Sequence, residues 1–513
     1  MNVSKQVFRN TVAGWFEMTV VVVSAMVITP LLISRLGKEG YGVWMLVGQV
    51  VAYLAILDLG VGSSVGRFVA KHNAGEDHLC LSRVVNSAIF LFVVSSIAIL
   101  SATLFLYPNF SRFFKLSDEY YDTAKWLILL TGCGVALSFP LRIGQGVLEG
   151  THNFHLIYLF RASGAFIKLS LITFIFGLRN CESLLLLAII AAVTTILPGL
   201  FMCGAAVTRL PNASLGFQYV DVASLREIWS LSLSALLGTL GILLLNQGQI
   251  IGVGKMIGPE AAVLYAIPVM LLTYGSMVTA YVVAAFKPMA SHMQALDKGP
   301  SLRMLNIKGV KAVFLISLLI AVLAVVFGDS LLQIWLGSKQ LSTRDFNKMS
   351  GVLTIMAIGF AVGAPQYVTA KMFSGTDRHW FVTGISLAAS VVGLLVGFLL
   401  MVKTNLGLYG MAIGWTAVFV IRGVLVLPAS ACRHFKIKSL SYLEQAYLPP
   451  VVAATILMAT AYASKAMFNA TSITSLVLCI VFSAGVYAVA VYFFCLDAGQ
   501  RMQIRSALNR FRT

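Results

Sequence analysis

Glu17, Asp58, Arg142, Glu149, Arg161 and Lys168 stand inside long apolar stretches of this chain. A charge in such a stretch is costly, about 2.5–3.5 kcal/mol on insertion scales for Arg, Lys or Asp at the centre of a span, so it should face a cavity or a partner. Arg142 and Glu149 are seven residues apart, as are Arg161 and Lys168, so each pair shares one face of a helix. Guanidinium forks match phosphate oxygens in pairs, and an ammonium acts as a point charge. Arg142, Arg161 and Lys168 are therefore candidates to bind an anionic group such as a diphosphate. Arg67, nearer the end of its stretch, could bind too, or snorkel to lipid phosphate. Carboxylates in a low-dielectric cavity readily hold a proton, and neighbouring cations oppose this. Asp58, Glu17 and Glu149 are the ion-coupling candidates, with Asp58 the deeper of the first two. The competing reading is a buried network in which these acids neutralise Arg67, Arg142 and Arg161 for stability alone.

The second half carries a milder set: Asn246, Gln247 and Gln249, then Tyr265, Tyr274 and Tyr281. Amides and phenols can bond sugar hydroxyls, with Asn246 and Gln249 the substrate-binding candidates, or they can simply join helices. Arg422, about two turns from the inner end of its stretch, could snorkel in the same way and is given no role. Catalytic patterns such as GxSxG, HExxH and the phosphate-binding loop are missing. The seven histidines fall mainly in expected loops. The seven cysteines form no CxxC pair, so neither a zinc site nor a disulfide framework is expected. No metal, cofactor or enzyme activity is anticipated.

The elements that must position these residues are membrane spans. Of 513 residues, 59% are apolar and 11% charged, against about a quarter charged in a soluble domain. Disorder is excluded by the same composition, and a β-barrel by apolar runs of about 20 residues. The first run, Val12 to Ile33, is too long for a cleavable signal and reads as a retained span. At about 20 residues per crossing, fourteen spans are expected: near 11–34, 42–66, 84–107, 125–149, 156–178, 184–207, 227–252, 261–285, 310–328, 350–373, 380–402, 408–430, 450–468 and 474–496. Lys and Arg fall roughly two to one on the side holding both termini, which predicts N-in, C-in. The formal net charge of +18 is thus a topology signal, suited to anionic lipid headgroups. Nucleic acid is not an expected partner, since no polar domain exists to hold it. No expected outer loop is much longer than about 20 residues, too short for an external catalytic domain.

An internal repeat organises the spans. Pro140, Gly150 and Thr151 match Pro365, Gly375 and Thr376 at an offset of 225. Leu36-Gly37-Lys38-Glu39 resembles Ile257-Gly258-Pro259-Glu260 at an offset of 221. Spans 1–6 then correspond to spans 7–12, as parallel halves of a transporter plan. The expected architecture is an all-α integral membrane protein. It has a six-helix lobe at 1–208, a pseudo-symmetric second lobe at 209–432, and two additional helices with a basic tail at 433–513. Under the 225 offset, Arg142, Glu149, Arg161 and Lys168 fall on Tyr367, Ser374, Ser386 and Gly393. None is charged, so the repeat does not need these charges to fold.

The stretches Thr29–Trp44 (TPLLISRLGKEGYGVW), Leu57–Ala70 (LDLGVGSSVGRFVA) and Val147–Phe154 (VLEGTHNF) resemble the polysaccharide transporter and O-antigen flippase family of the MATE-like exporter superfamily. The resemblance extends along the whole chain through the 6+6+2 arrangement. It implies two lobes around a cavity that faces each side in turn. It also implies a substrate: an undecaprenyl-diphosphate-linked oligosaccharide flipped across the bacterial inner membrane for O-antigen, capsule or exopolysaccharide assembly. Membrane lipids, a coupling H+ or Na+ and polysaccharide assembly proteins would be the partners. The rivals are a multidrug cation antiporter on the same fold, which calls for an acid-lined cavity, and a membrane glycan polymerase or ligase.

Overall fold

The computed structural model describes residues 3–502, apart from 59–60, 76, 180–181, 211–213, 297–298, 338 and 377. The described residues contain helices and turns and no strand. The chain forms two compact units, Met1–Val263 and Leu264–Thr513. The first holds α1 (Val3–Leu54), α2 (Val61–Ala74), α3 (His78–Phe114), α4 (Asp118–Ser138), α5 (Arg142–Gly150), α6 (Phe154–Ile172), α7 (Leu184–Val207) and α8 (Val222–Met256). Helix α9 (Pro259–Ala284) begins in the first unit and continues in the second. The second unit continues with α10 (Phe286–Ala295), α11 (Gly299–Leu336), α12 (Thr343–Gly363), α13 (Gln366–Gly375), α14 (His379–Lys403) and α15 (Leu408–Ile421). It closes with α16 (Leu427–His434), α17 (Ser439–Tyr442), α18 (Leu448–Phe468) and α19 (Ile473–Phe494).

Thirteen stretches among the described residues are long and apolar enough to cross a membrane. The first, Phe8–Leu54, has 47 residues. That is about 70 Å of helix, more than twice the roughly 30 Å hydrocarbon core. Gly37 turns the chain within it at φ 70°, a left-handed conformation that suits glycine. This one stretch therefore carries the first expected span and the first half of the second. The second span departs from expectation at its far end. The helix tightens into a 3-10 turn at Ala55–Asp58 and restarts at Val61. The sequence Asp58-Leu59-Gly60-Val61-Gly62 is rich in poor helix formers, which is the local reason.

Leu104, Phe105, Leu395, Leu399, Phe482 and Phe493 are exposed, as suits side chains solvated by lipid tails. The first unit's core gathers Val65, Phe68, Val84, Phe92, Phe139 and Val147. The segment leading into α8 is pinned to α3 by buried polar groups: Asn86 Nδ2 donates to Ser214 O at 2.8 Å, and Ser87 Oγ accepts from Asp221 N at 3.1 Å. In the second unit, α18 and α19 dock on α11 through Val326, Leu457, Cys479 and Tyr487. Lys465 Nζ donates to Asp329 Oδ1 at 2.7 Å and ties α18 to α11.

Element boundaries recur along the chain. Helices α4 and α12 each have 21 residues and start 225 positions apart. Helices α5 and α13 end at Gly150 and Gly375, and α6 and α14 start at Phe154 and His379, again 225 apart. Gly37 and Gly258 both have positive φ, at 70° and 131°.

Candidate functional site

Pro140 is the local reason for the site. Proline has no N–H and its ring crowds the carbonyl four residues back, so a helix breaks there. Helix α4 ends at Ser138, and the chain turns through Arg142 N donating to Phe139 O at 3.0 Å. Helix α5 then runs RIGQGVLEG. It was expected as part of one continuous span over 125–149; the break separates the two pieces. Three glycines let neighbours approach α5 closely. A Cβ at Gly144 would stand 2.5 Å from Cys203 N on α7, and one at Gly146 2.5 Å from Val65 Cγ1 on α2. A Cβ at Gly150 would stand 2.6 Å from Val69 Cβ, also on α2. Arg142, Gln145 and Glu149, spaced i, i+3, i+7, share the remaining face.

That face meets α6 and α1. Arg161 on α6 donates from Nη2 to Gln145 Oε1 at 2.9 Å. Gln145 Nε2 donates to Glu149 Oε1 at 2.6 Å. Arg161 Nη1 lies 3.8 Å from Glu17 Oε1 on α1. An amide suits this place, because its oxygen accepts from a guanidinium while its nitrogen donates to a carboxylate. Arg142 lies over the Phe139 ring, 4.1 Å from its centroid. Glu17, Arg142, Gln145, Arg161, Thr194 and Thr195 line a cavity of about 320 Å³. Arg161 is 44% exposed into it, and Glu17 only 18%.

Sequence reasoning had paired Arg142 with Glu149 and Arg161 with Lys168. The structure joins Arg161 directly to Glu17 and, through Gln145, to Glu149; Gln145 was missed. Its signal was available: a polar residue in an apolar stretch, on the face shared by two charges already singled out. Lys168 does not line this cavity. It is half-buried and makes no hydrogen bond or ion pair among the described residues. Arg67 is exposed and lies elsewhere, in an open groove of about 760 Å³ with Lys71, Arg226 and Glu227. Asn246 is exposed. Gln249 is buried, and its amide donates to Leu245 O one turn back on α8. Asp58 ends the 3-10 turn, and its side chain lies outside the described residues.

The ligand atoms of His72, Asp77 and Cys80 lie within 4.8 Å of one another where α2 hands over to α3. The Asp77 carboxylate is already engaged there, accepting from Cys80 N at 3.0 Å as the cap of α3.

Residues 11–294 match the family described as polysaccharide biosynthesis protein, more than half of the chain. The chain belongs to that family. It is a multi-pass membrane protein of polysaccharide biosynthesis, with thirteen apolar helical stretches among the described residues. A candidate O-antigen transporter of Shigella flexneri is 21% identical over 421 residues, covering 82% of this chain and 96% of its own length. The fold is that of MATE-type transporters. A lipid II flippase, MurJ, in an inward closed conformation superposes with a TM-score of 0.70 at 14% identity, over 94% of this chain and 98% of its own. A multidrug resistance MATE transporter in an inward-facing conformation gives 0.68 at 15% identity, over 84% and 99%.

Proposed function

We propose that this family member is a flippase for lipid-linked oligosaccharide. It would move undecaprenyl-diphosphate-linked repeat units across the bacterial inner membrane by alternating access, with both termini in the cytoplasm. The observation that carries this reading is the cavity in the first unit, which Arg142 and Arg161 both line together with Glu17, Gln145, Thr194 and Thr195. Two guanidiniums offer paired donors to a diphosphate. The match to a candidate O-antigen transporter, over 82% of this chain and 96% of that protein, supports the same substrate class.

The network suggests how binding is coupled. Arg161 already holds Glu17 and Gln145. A diphosphate arriving at Arg161 competes with Glu17 for the guanidinium. A carboxylate that loses its cation in a low-dielectric cavity favours the protonated form. Substrate entry would then load a proton on Glu17, and release would return Glu17 to Arg161. Lys168, two turns further along the same helix face, is the next cation for a phosphate moving deeper.

The test is flipping of a fluorescent undecaprenyl-diphosphate oligosaccharide in proteoliposomes, comparing wild type with Arg161→Ala and Lys168→Ala. The expected result is flipping by wild type and a loss of about 100-fold or more in Arg161→Ala, the scale of removing two charge-assisted hydrogen bonds at a transport site. Export of a cationic dye by a wild type that leaves the lipid in place would sink the reading in favour of a cation antiporter.

A further inference from the structure

The sequence places Arg422 inside its span, about two turns from the inner end and able to snorkel. The structure places it further from that end. The stretch Leu408–His434 is a single candidate span of 27 residues, and Arg422 sits near its middle. Twelve residues separate it from His434, about 18 Å of helix, well beyond what snorkelling spans. The side chain is 9% exposed. Its Nε is fully buried with no hydrogen-bond partner. Among the described residues no carboxylate pairs with it. Its guanidinium carbon lies 6.0 Å from the centroid of the Tyr367 ring.

The backbone is built around this residue. Arg422–Val426 is a π-bulge between α15 and α16, a feature that re-aims side chains and gathers at functional positions. Gly423 brings the bulge against α12, since a Cβ there would stand 2.8 Å from Val362 O. Position 422 corresponds under the 225 offset to Leu197, which is flanked by the cavity-lining Thr195, Pro198 and Gly199 of the first unit. Tyr367 corresponds in the same way to Arg142. The second unit therefore carries a cation at its own helix break, supplied by the opposite wall. A buried guanidinium with no acid beside it is an unfinished ion pair, and removing such a charge rarely costs stability unless a counter-charge is bound.

We propose that Arg422 is a second anion-binding residue, taking a phosphate of the transported lipid-linked diphosphate beside Tyr367. This rests on the flippase reading for the identity of the ligand, but not for the presence of an anion site. The test uses the full-length protein in phosphatidylcholine nanodiscs. Tm and binding are measured with undecaprenyl diphosphate, inorganic pyrophosphate and phosphatidylglycerol, for wild type, Arg422→Gln and Arg422→Lys. The expected result is an affinity for undecaprenyl diphosphate about ten-fold weaker in Arg422→Gln, with the ligand-free Tm unchanged or raised. Arg422→Lys should keep the charge and part of the affinity, but not the two-pronged geometry. Two results would overturn the proposal. One is a lowered ligand-free Tm in Arg422→Gln with affinity for every probe unchanged, which marks a structural arginine. The other is an Arg422-dependent response to phosphatidylglycerol alone, which assigns the site to bulk lipid. Pyrophosphate binding that depends on Arg422, in a protein that flips no lipid-linked oligosaccharide, would keep the anion site and remove the flippase reading.

Discussion

The helix breaks at Pro140 and Pro365 share their architecture and differ in their furnishing. Each follows a 21-residue helix and opens a short helix ending in glycine. In the first, Arg142, Gln145 and Glu149 face α6 and α1 around a cavity. In the second, the short helix carries no acid or arginine, the amide N–H groups there bond to the protein itself, and a cation, Arg422, comes from the facing wall. Gln366 donates to the hydroxyls of Tyr442 and Tyr447, and Asn306 Nδ2 donates to Thr369 Oγ1 at 3.2 Å. The break and the short helix thus form with or without an ionic network. The network is an addition to the fold, and an addition that costs desolvation needs a reason beyond folding.

Rewriting the first break in the residues of the second is the strongest way to break this comparison. The combination Gln145→Ala, Glu149→Ser and Arg161→Ser installs the counterparts Ala370, Ser374 and Ser386. Flipping in proteoliposomes should fall by about 100-fold or more, because the paired donors for an anion are gone. The Tm should stay within a few degrees of wild type. A variant that unfolds instead would mean the network holds the lobe together, and the competing reading of a network for stability alone would stand.

Gly144 sharpens the same contrast from the packing side. Its counterpart is Thr369, a side chain the second unit accommodates fully buried. In the first unit a Cβ at 144 meets the backbone of Cys203 and Met202, which cannot swing away. Gly144→Val should therefore cost about 1–3 kcal/mol or more, the range for forcing extra volume into a packed interior. Thr369→Val should cost less, losing the bond from Asn306. Thermal unfolding of the two variants in one detergent gives the comparison directly. Equal losses would mean that α5 is not gripped as described.

Gln145→Ala alone is the milder test of the network. Hydrogen bonds to charged groups are worth about 1.5–3 kcal/mol when buried, and Arg161 is 44% exposed. The loss of stability should therefore be nearer 1 kcal/mol. Transport should change more than stability does, because Arg161 and Glu149 lose their common bridge. A Tm drop with unchanged flipping rates would make Gln145 structural only.

The large features of the fold were legible because each has a short-range cause. Apolar runs set the spans, Pro140 and Pro365 set the breaks, and Gly37 and Gly258 set the turns that follow the first span of each half. The charges near Pro140 were legible because ionisable residues stand out in lipid. What escaped is whatever depends on depth and rotation. Arg422 was read as a span residue within snorkelling reach, about two turns from the inner end, whereas its helical stretch runs on to His434. Lys168 shares a helix face with Arg161, but a cavity occupies only part of a face. Gln145 was overlooked because the first half was read through its charged residues alone, although it is the piece that joins Arg161 to Glu149. Asn246 and Gln249 were grouped by type, yet one is exposed and the other bonds back to its own helix.

The smallest expected effect lies outside the spans, at the caps of α3 and α8. Asp77 accepts from Cys80 N, and Asp221 accepts from Ser224 N at 2.9 Å. These backbone hydrogen bonds hold both carboxyls below the usual aspartate range. A carboxylate whose acidity is strengthened by folding stabilises the fold above its unfolded pKa, and that contribution fades as pH falls through the lowered value. The acid limb of a Tm-against-pH curve should therefore be shallower in Asp77→Asn, whose amide oxygen can still cap α3 without titrating. Asp77→Ala should lower Tm across neutral pH by a small amount, since it removes the cap altogether. Asp221 should behave alike in direction, with a larger loss on Asp221→Ala because its backbone N–H also binds Ser87 Oγ and a distorted cap loosens the clamp on α3. Identical acid limbs in wild type and Asp77→Asn would show that this cap does not contribute to the pH dependence of folding.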